Sequence, residues 1–291
     1  MILVTGATGN AGSQVVRHLR VRGAQVRAFV RDPDTARERL GEGVELARGD
    51  FADPESVRAA LDGIDDVVLS CADDPRRVEW ETGAIDAAAA AGVTRIVKLS
   101  TIGAEPGAPV AFWDWHGRVE THLRESGVPA FVLQSSFYMS NLLAAADQVG
   151  TADQLFAPAG EARIAMIDPR DVGAAASAIL TSGGKQDTYM LTGPAAMTYA
   201  QVAEELSRAT GRTIRFIDVP PEAARQGMIE VGMPEFVAEQ LVKIFEQLRQ
   251  GVAEQTTRTV EALTGSPPRS FAEFARDHAH LFGPAPHDGG A

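Results

Sequence analysis

Short apolar runs alternate with longer segments of helical spacing through the first half of the chain. Ile2–Thr5 predicts a buried strand, and Ala11–Val21 sets Val15, Val16 and Leu19 on one helical face. Gln25–Val30 predicts a second strand, followed by Pro33–Leu40, a helix opened by proline. Strands at Val44–Ala47 and Asp66–Leu69 bracket a helix at Pro54–Leu61. A helix at Val78–Ala91 leads to a strand at Arg95–Leu99, and a helix at Phe112–Ser126 to a strand at Ala130–Leu133. Apolar strands too short to be helices, each separated from the next by a helix, belong to a parallel sheet covered on both faces. The pattern predicts an α/β fold of the Rossmann type, a doubly wound parallel sheet.

After about residue 135 the rhythm loosens. Gly150–Ala162 is rich in small residues, Pro169–Thr181 and Thr198–Thr210 have helical patterns, and Glu235–Gly251 carries an apolar stripe through Phe236, Val237, Leu241, Ile244, Phe245 and Leu248. That stripe belongs either to a helix over a cleft or to a plain core helix. The division expected is a nucleotide-binding domain over residues 1–150 and a smaller, mainly helical substrate region over 151–282, interwoven with the first. Residues 283–291, rich in Gly and Pro, are expected to form a disordered tail.

Charge narrows the partners. The chain has 291 residues and a formal net charge of −12, which repels phosphate backbones and argues against broad nucleic-acid binding. The single cysteine, Cys71, cannot form an intramolecular disulfide, and no Cys/His cluster has metal-ligand spacing, so no metal is expected. No apolar run approaches the roughly 20 residues of a membrane span. The first residues lack the basic stretch of a signal peptide, so a cytoplasmic protein, monomeric or homodimeric, is the expectation. Neither a G-x-S-x-G elbow nor a Gly-Lys-Ser/Thr phosphate loop occurs, which removes α/β-hydrolase and P-loop chemistry.

The strongest chemical signal is Thr5-Gly6-Ala7-Thr8-Gly9-Asn10-Ala11-Gly12, directly after a strand and opening a helix. Gly6 permits a tight exit from the strand, Gly9 lets the backbone approach a pyrophosphate, and Gly12 allows close packing of the helix. The unpaired amides and dipole at the helix start favour phosphate, so Gly6, Thr8, Gly9, Asn10, Ala11 and Gly12 are the candidate cofactor loop. Packing alone is the competing explanation.

The G-x-x-G-x-x-G spacing of this loop resembles the short-chain dehydrogenase superfamily in its atypical, NmrA-like branch. Arg27–Pro33 is similar to the end of that family's second strand, Gly49–Pro54 to its adenine-side turn, and Leu99–Ala104 to its fifth-strand loop. Gly265–Phe274 resembles the C-terminal signature of actinobacterial members, so the likeness covers nearly the whole chain. It implies a bound nicotinamide dinucleotide with Asp50 and Phe51 beside adenine, and Ser100 and Thr101 beside nicotinamide. Asp50 as a turn cap, and the two hydroxyls as loop-end caps, are the plainer alternatives.

Arg31 sits just past the second strand, where an acidic side chain would instead grip a ribose diol. Its planar fork suits a 2′-phosphate, so NADP(H) is favoured over NAD(H), although a one-residue shift would bring Asp32 into the acidic position.

The resemblance also exposes a departure. Carbonyl reductases of the superfamily use a Tyr-x-x-x-Lys pair after strand five; here Phe112 and His116 stand at those positions. Four residues apart, they share one helix face. Phe cannot donate a proton, so the usual carbonyl chemistry is missing. Quinones need little acid catalysis, since hydride addition gives a stabilised phenolate, and the resemblance to NmrA-like quinone reductases points the same way. The function expected is NADPH-dependent hydride transfer to a small aromatic or quinone-like acceptor. The alternatives are a non-catalytic redox sensor of the NmrA type and a reductase of another conjugated system, as in the isoflavone-reductase relatives.

With an ordinary pKa of about 6.5, His116 can serve as proton donor or simply orient ribose. Ser136 and Phe137, just past strand six, are candidate cofactor contacts, and Tyr138 is a substitute proton donor. Gln134-Ser135 replaces the Arg-Pro usual in the resembled family at this point. Trp113 and Trp115 either stack on a planar substrate or fill the core.

Overall fold

The computed structural model describes residues 1–184 and 187–283. The tail expected from 283 onward lies, after Gly283, outside the described residues. In chain order the elements are β1 (Ile2–Val4), α1 (Asn10–Val21), β2 (Val26–Val30), α2 (Pro33–Leu40), β3 (Glu45–Arg48), α3 (Pro54–Ala60), β4 (Asp66–Leu69), α4 (Arg77–Ala90), β5 (Arg95–Thr101), α5 (Ala111–Glu125) and β6 (Ala130–Ser135). They continue with α6 (Ala146–Ala152), β7 (Gln154–Ala157), α7 (Pro169–Ser182), β8 (Thr188–Leu191), α8 (Tyr199–Thr210), β9 (Arg215–Asp218), α9 (Pro221–Glu230), α10 (Glu235–Arg249), α11 (Thr259–Thr264) and α12 (Phe271–Asp277).

The chain divides into two compact units. The first holds Met1–Ser135, Pro169–Leu191 and Thr259–Pro267; the second holds Ser136–Asp168, Thr192–Arg258 and the residues from Pro268 onward. The first cut therefore falls at the end of β6, whereas the boundary expected at residue 150 lies inside α6. A cut chosen from composition follows the change in rhythm; the sheet recruits a later strand instead.

That later strand is β8. The sheet of the first unit has seven parallel strands in the order β3-β2-β1-β4-β5-β6-β8, one more than the sequence pattern foretold. Parallel pairing fixes the register, with Ile2 opposite both Val26 and Asp66, and Thr101 opposite Ser135. Every residue of β1 and β4 is buried, as strands covered by helices on both faces must be. Leu3, Val67, Ile96, Val132, Ile85 and Leu123 join one apolar cluster. Local chemistry starts the helices: Asp32 and Asp53 accept first-turn amides ahead of Pro33 and Pro54.

In the second unit β7 and β9 form a two-stranded parallel sheet. Thr198 with Gln201, and Ser270 with Glu273, form reciprocal capping boxes at α8 and α12. On α10 only Ala238, Gln240 and Leu248 are buried, and Phe236 is exposed, so much of the apolar stripe is not core within its unit.

Candidate nucleotide and hydride-transfer site

The strand order reverses between β1's two neighbours, β2 and β4, and the glycine loop leaves the carboxyl end of β1 at that reversal. Open α/β sheets bind ligands in the crevice there. Gly6 has φ +58°, and a Cβ on it would lie 2.9 Å from the Ser70 carbonyl oxygen. Thr5 ties the same turn: its hydroxyl donates to the Ser70 carbonyl at 2.8 Å and accepts from the Ser70 amide at 2.9 Å. The Gly6 carbonyl accepts from the Gly9 amide, and a Cβ on Gly12 would sit only 2.2 Å from that same oxygen. Gly12 thus serves contact between the helix and its own loop.

Gly9 is the N-cap of α1 and supplies no side-chain acceptor, nor is there an acidic residue in the first turn. The amides of a helix's first turn point outward from its N-terminal end, and the helix dipole adds partial positive charge there. A glycine-lined concavity with amide donors fits a pyrophosphate. Thr8 is half-buried, Asn10 exposed and Ala11 buried beside it.

Arg31 follows β2 directly, is exposed, and makes no hydrogen bond or ion pair among the described residues. The Asp32 carboxylate accepts from the Asp34 and Thr35 amides and from the Thr35 hydroxyl. These donors hold it below the usual carboxylate range. It is spent on capping α2 and is not a free ribose acceptor. Arg48, which sequence reading passed over, pairs in register with Val30 at the end of β3, and its charge also acts on Asp32. Its signal lay only in parallel registration of β2 with β3. The Asp50 carboxylate accepts from the Ala52 amide at 2.9 Å, capping its turn, and Phe51 packs edge-on against Phe29.

On the other side of the switch, β5 and α5 bring Ser100 and His116 together, with Oγ and Nδ1 3.3 Å apart. Ser100 also donates its hydroxyl to Glu120 Oε1. Both Glu120 oxygens receive Gln134 Nε2 at 3.2 Å, and Oε2 receives Arg124 at 2.9 Å. Burial, then the positive charges of Arg77 and Lys98, push the His116 imidazole well below its usual range, so it is neutral at pH 7. Thr101 donates to the Ile102 carbonyl. Phe112 stacks edge-on with Trp115 at 5.4 Å, and Trp113 is buried over Gly103, where a Cβ would come within 2.6 Å of the ring; Trp113 is core.

Behind this network lies a group that sequence reading missed entirely. Lys98, on β5, is fully buried; its Nζ donates to Glu81 Oε1 at 2.9 Å and to the Leu99 carbonyl at 2.7 Å. Glu81 also receives Arg77 Nε at 3.2 Å, and Arg77 Nη2 donates to the Cys71 carbonyl at 2.9 Å. Arg77 thereby pins the turn that carries Ser70, the neighbour of Gly6. The available signal was a lysine inside an apolar strand with an Arg/Glu pair at helical spacing. Burial pushes the Cys71 thiol up to about 11, so it is no thiolate at neutral pH.

Ser136, Phe137 and Tyr138 open the second unit. Backbone bonds from Ile167 to Phe137 and from Met139 to Ile167 fix this segment as a short parallel ladder. The hydroxyl of Ser136 is buried and has no hydrogen-bond partner among the described residues. The Phe137 ring faces Phe245, which continues through Tyr199 to Phe216 as a row of aromatic contacts.

Comparison with known proteins gives the family and the fold. The NmrA-like family model covers residues 1–275. The NAD(P)H azoreductase of Xenophilus azovorans is 38% identical over 286 residues, 98% of this chain and 100% of that one. The (4-alkanoyl-5-oxo-2,5-dihydrofuran-3-yl)methyl phosphate reductase of Streptomyces griseus is also 38% identical over 98% of this chain and all of its own. The NADPH-dependent quinone oxidoreductase of Escherichia coli, solved with NADPH, superposes with a TM-score of 0.87 at 29% identity, over 97% of this chain and 100% of that one. The chain, matched over nearly its whole length, belongs to the NmrA-like family and stands among its NAD(P)H-dependent oxidoreductases.

Proposed function

We propose that the protein transfers hydride from NADPH to a quinone or similarly conjugated planar acceptor. The observation that carries this reading is the α5 pair: Phe112, which has no proton to give, and a neutral, buried His116. Such a site suits acceptors whose reduced form is a delocalised anion, protonated afterwards from water. The acceptors named for the relatives, azo compounds, quinones and an oxo-dihydrofuran, share conjugation. When bound, the dihydronicotinamide supplies a hydride, and one proton from solvent completes the two-electron reduction.

Gly6, Thr8, Gly9, Asn10, Ala11 and Gly12 seat the pyrophosphate. Arg31, with Arg48 beside it, takes the 2′-phosphate; Asp50 and Phe51 shape the adenine side, while Ser100 and Thr101 shape the nicotinamide side. Ser136 and Phe137 remain cofactor candidates on their sequence position, and Tyr138 a candidate donor. Tyr138→Phe with unchanged turnover removes that last role.

Stopped-flow oxidation of NADPH against a panel of quinones and an azo dye tests the reading. Turnover is expected; tight nucleotide binding without oxidation by any acceptor overturns it in favour of a sensor. Arg31→Ala is expected to weaken NADPH by about 10- to 100-fold, the value of a charge-assisted contact, and NADH by less than about twofold. Equal losses in calorimetry reject the phosphate assignment.

A further inference from the structure

We propose that Glu120, acting through Ser100, is a positioning residue that fixes His116 as the neutral Nδ1–H tautomer, so that Nε2 meets bound ligand as a hydrogen-bond acceptor and not as a proton donor. The inference rests on the reading above that the first unit binds a dinucleotide.

The logic is a count of protons. A serine hydroxyl has one hydrogen and two lone pairs, and a neutral imidazole has one N–H and one bare nitrogen. Among the described residues, every hydrogen-bond partner of the Glu120 carboxylate is a donor: Ser100 Oγ, Gln134 Nε2 and Arg124 Nη2. The one Ser100 hydrogen is committed to Glu120, so toward His116 its oxygen can only accept. The 3.3 Å contact then requires the hydrogen on Nδ1. His116 is buried, and its Nε2 has no partner among the described residues.

The charged surroundings keep the ring from taking a second proton. From α4 come Arg77 and Glu81, from β5 Lys98, from α5 Glu120 and Arg124, and from β6 the neutral Gln134. Glu81 is already shared between Arg77 and Lys98, and Glu120 is compensated by Arg124. Among the described residues no uncompensated carboxylate is left to stabilise an imidazolium, and an acceptor nitrogen selects a hydroxyl such as that of a ribose. A quinone carbonyl, which has no hydrogen to offer, is repelled from Nε2. The proton that follows hydride transfer therefore comes from water and not from His116.

The test is two-bond proton–nitrogen NMR of protein carrying ¹⁵N-labelled histidine, with His116 assigned through the signal lost in His116→Asn. A protonated Nδ1 with a bare Nε2 is expected, constant from about pH 6 to 8, and the Nε2 signal should move when NADPH is added. In Glu120→Gln the new amide can donate to Ser100, releasing the serine hydrogen toward Nδ1; the ring should shift to the Nε2–H form. Ser100→Ala should give a mixture of both. A wild-type ring protonated on Nε2, or on both nitrogens at pH 7, overturns the proposal. Should Glu120→Gln fail to fold, the wild-type and Ser100→Ala spectra still decide. Absence of quinone turnover leaves these spectra unchanged, so failure of the two readings is separable.

Discussion

Replacing Gly12 by alanine is expected to weaken NADPH binding by at least about 100-fold, equivalent to roughly 2.7 kcal/mol. The added Cβ would stand 2.2 Å from the Gly6 carbonyl oxygen and 2.8 Å from its carbon, both backbone atoms that no rotamer change can move. Either the first turn of α1 lifts away or the Gly6 peptide shifts, and the Gly9 amide loses its acceptor in both cases. Stability should fall by about 1–3 kcal/mol, the usual toll of overpacking. Gly83 is the control: it lies on the exposed face of α4, and its Cβ would meet nothing within 4 Å. Gly83→Ala should leave NADPH binding unchanged and raise stability by about 0.5–1 kcal/mol, since alanine has less backbone freedom to lose. Calorimetric titration and urea unfolding of the two variants check both halves. Gly12→Ala with wild-type affinity would show that the loop does not hold phosphate.

Glu81→Leu is the second large effect. It removes the shared acceptor of Arg77 and Lys98, leaving Lys98 buried without its carboxylate and Arg77 with Asp73 as its remaining ion-pair partner, for an expected loss of about 3–5 kcal/mol. Lys98→Met alone should cost less, because Glu81 keeps Arg77. The triple replacement Arg77→Met, Glu81→Leu, Lys98→Met should recover much of the stability, since a well-packed apolar substitute often matches a buried ion cluster. Yet NADPH should bind it more weakly, for the Cys71 turn beneath Gly6 loses its guanidinium tether. Recovery of affinity together with stability would reduce the cluster to a packing element.

Acid behaviour separates these variants further. Lys98 and Arg77 hold the Glu81 carboxyl below its ordinary value of 4.5 against the opposing effect of burial. A carboxyl depressed in the folded state contributes stability that is complete above the unfolded value and is lost as pH falls through the folded one. Wild type should therefore lose stability below about pH 4.5 more steeply than Glu81→Leu, which has no such proton to take up. Urea midpoints measured between pH 3 and 6 give the comparison.

How far the residues announced these features depended on the distance over which each is decided. The glycine loop was legible because strand, turn and helix are contiguous, and a Cβ either fits or clashes with atoms a few residues away. Asp32 was visible as a residue near the second strand, but its choice between ribose and helix cap needed the position of the Asp34 and Thr35 amides. Phe112 and His116 were placed on one face by helical spacing. That Ser100 surrenders its hydrogen to Glu120 depends on β5, α5 and β6 meeting, which no local pattern encodes.

By itself the sequence determined the alternating elements, the parallel character of the sheet, the glycine turn at residue 6 and the presence of Phe112 and His116 where the resembled family has its Tyr-x-x-x-Lys pair. Each follows from hydrophobic period, glycine chemistry or side-chain identity, all of which act within a few residues. Tertiary structure alone decided that β8 completes the sheet beside β6, that Lys98 is neutralised from α4, and that Arg48 lies level with the end of β2. Those outcomes require strands and helices far apart in the chain to register against one another. The free energy that selects them belongs to the packed whole and not to any segment.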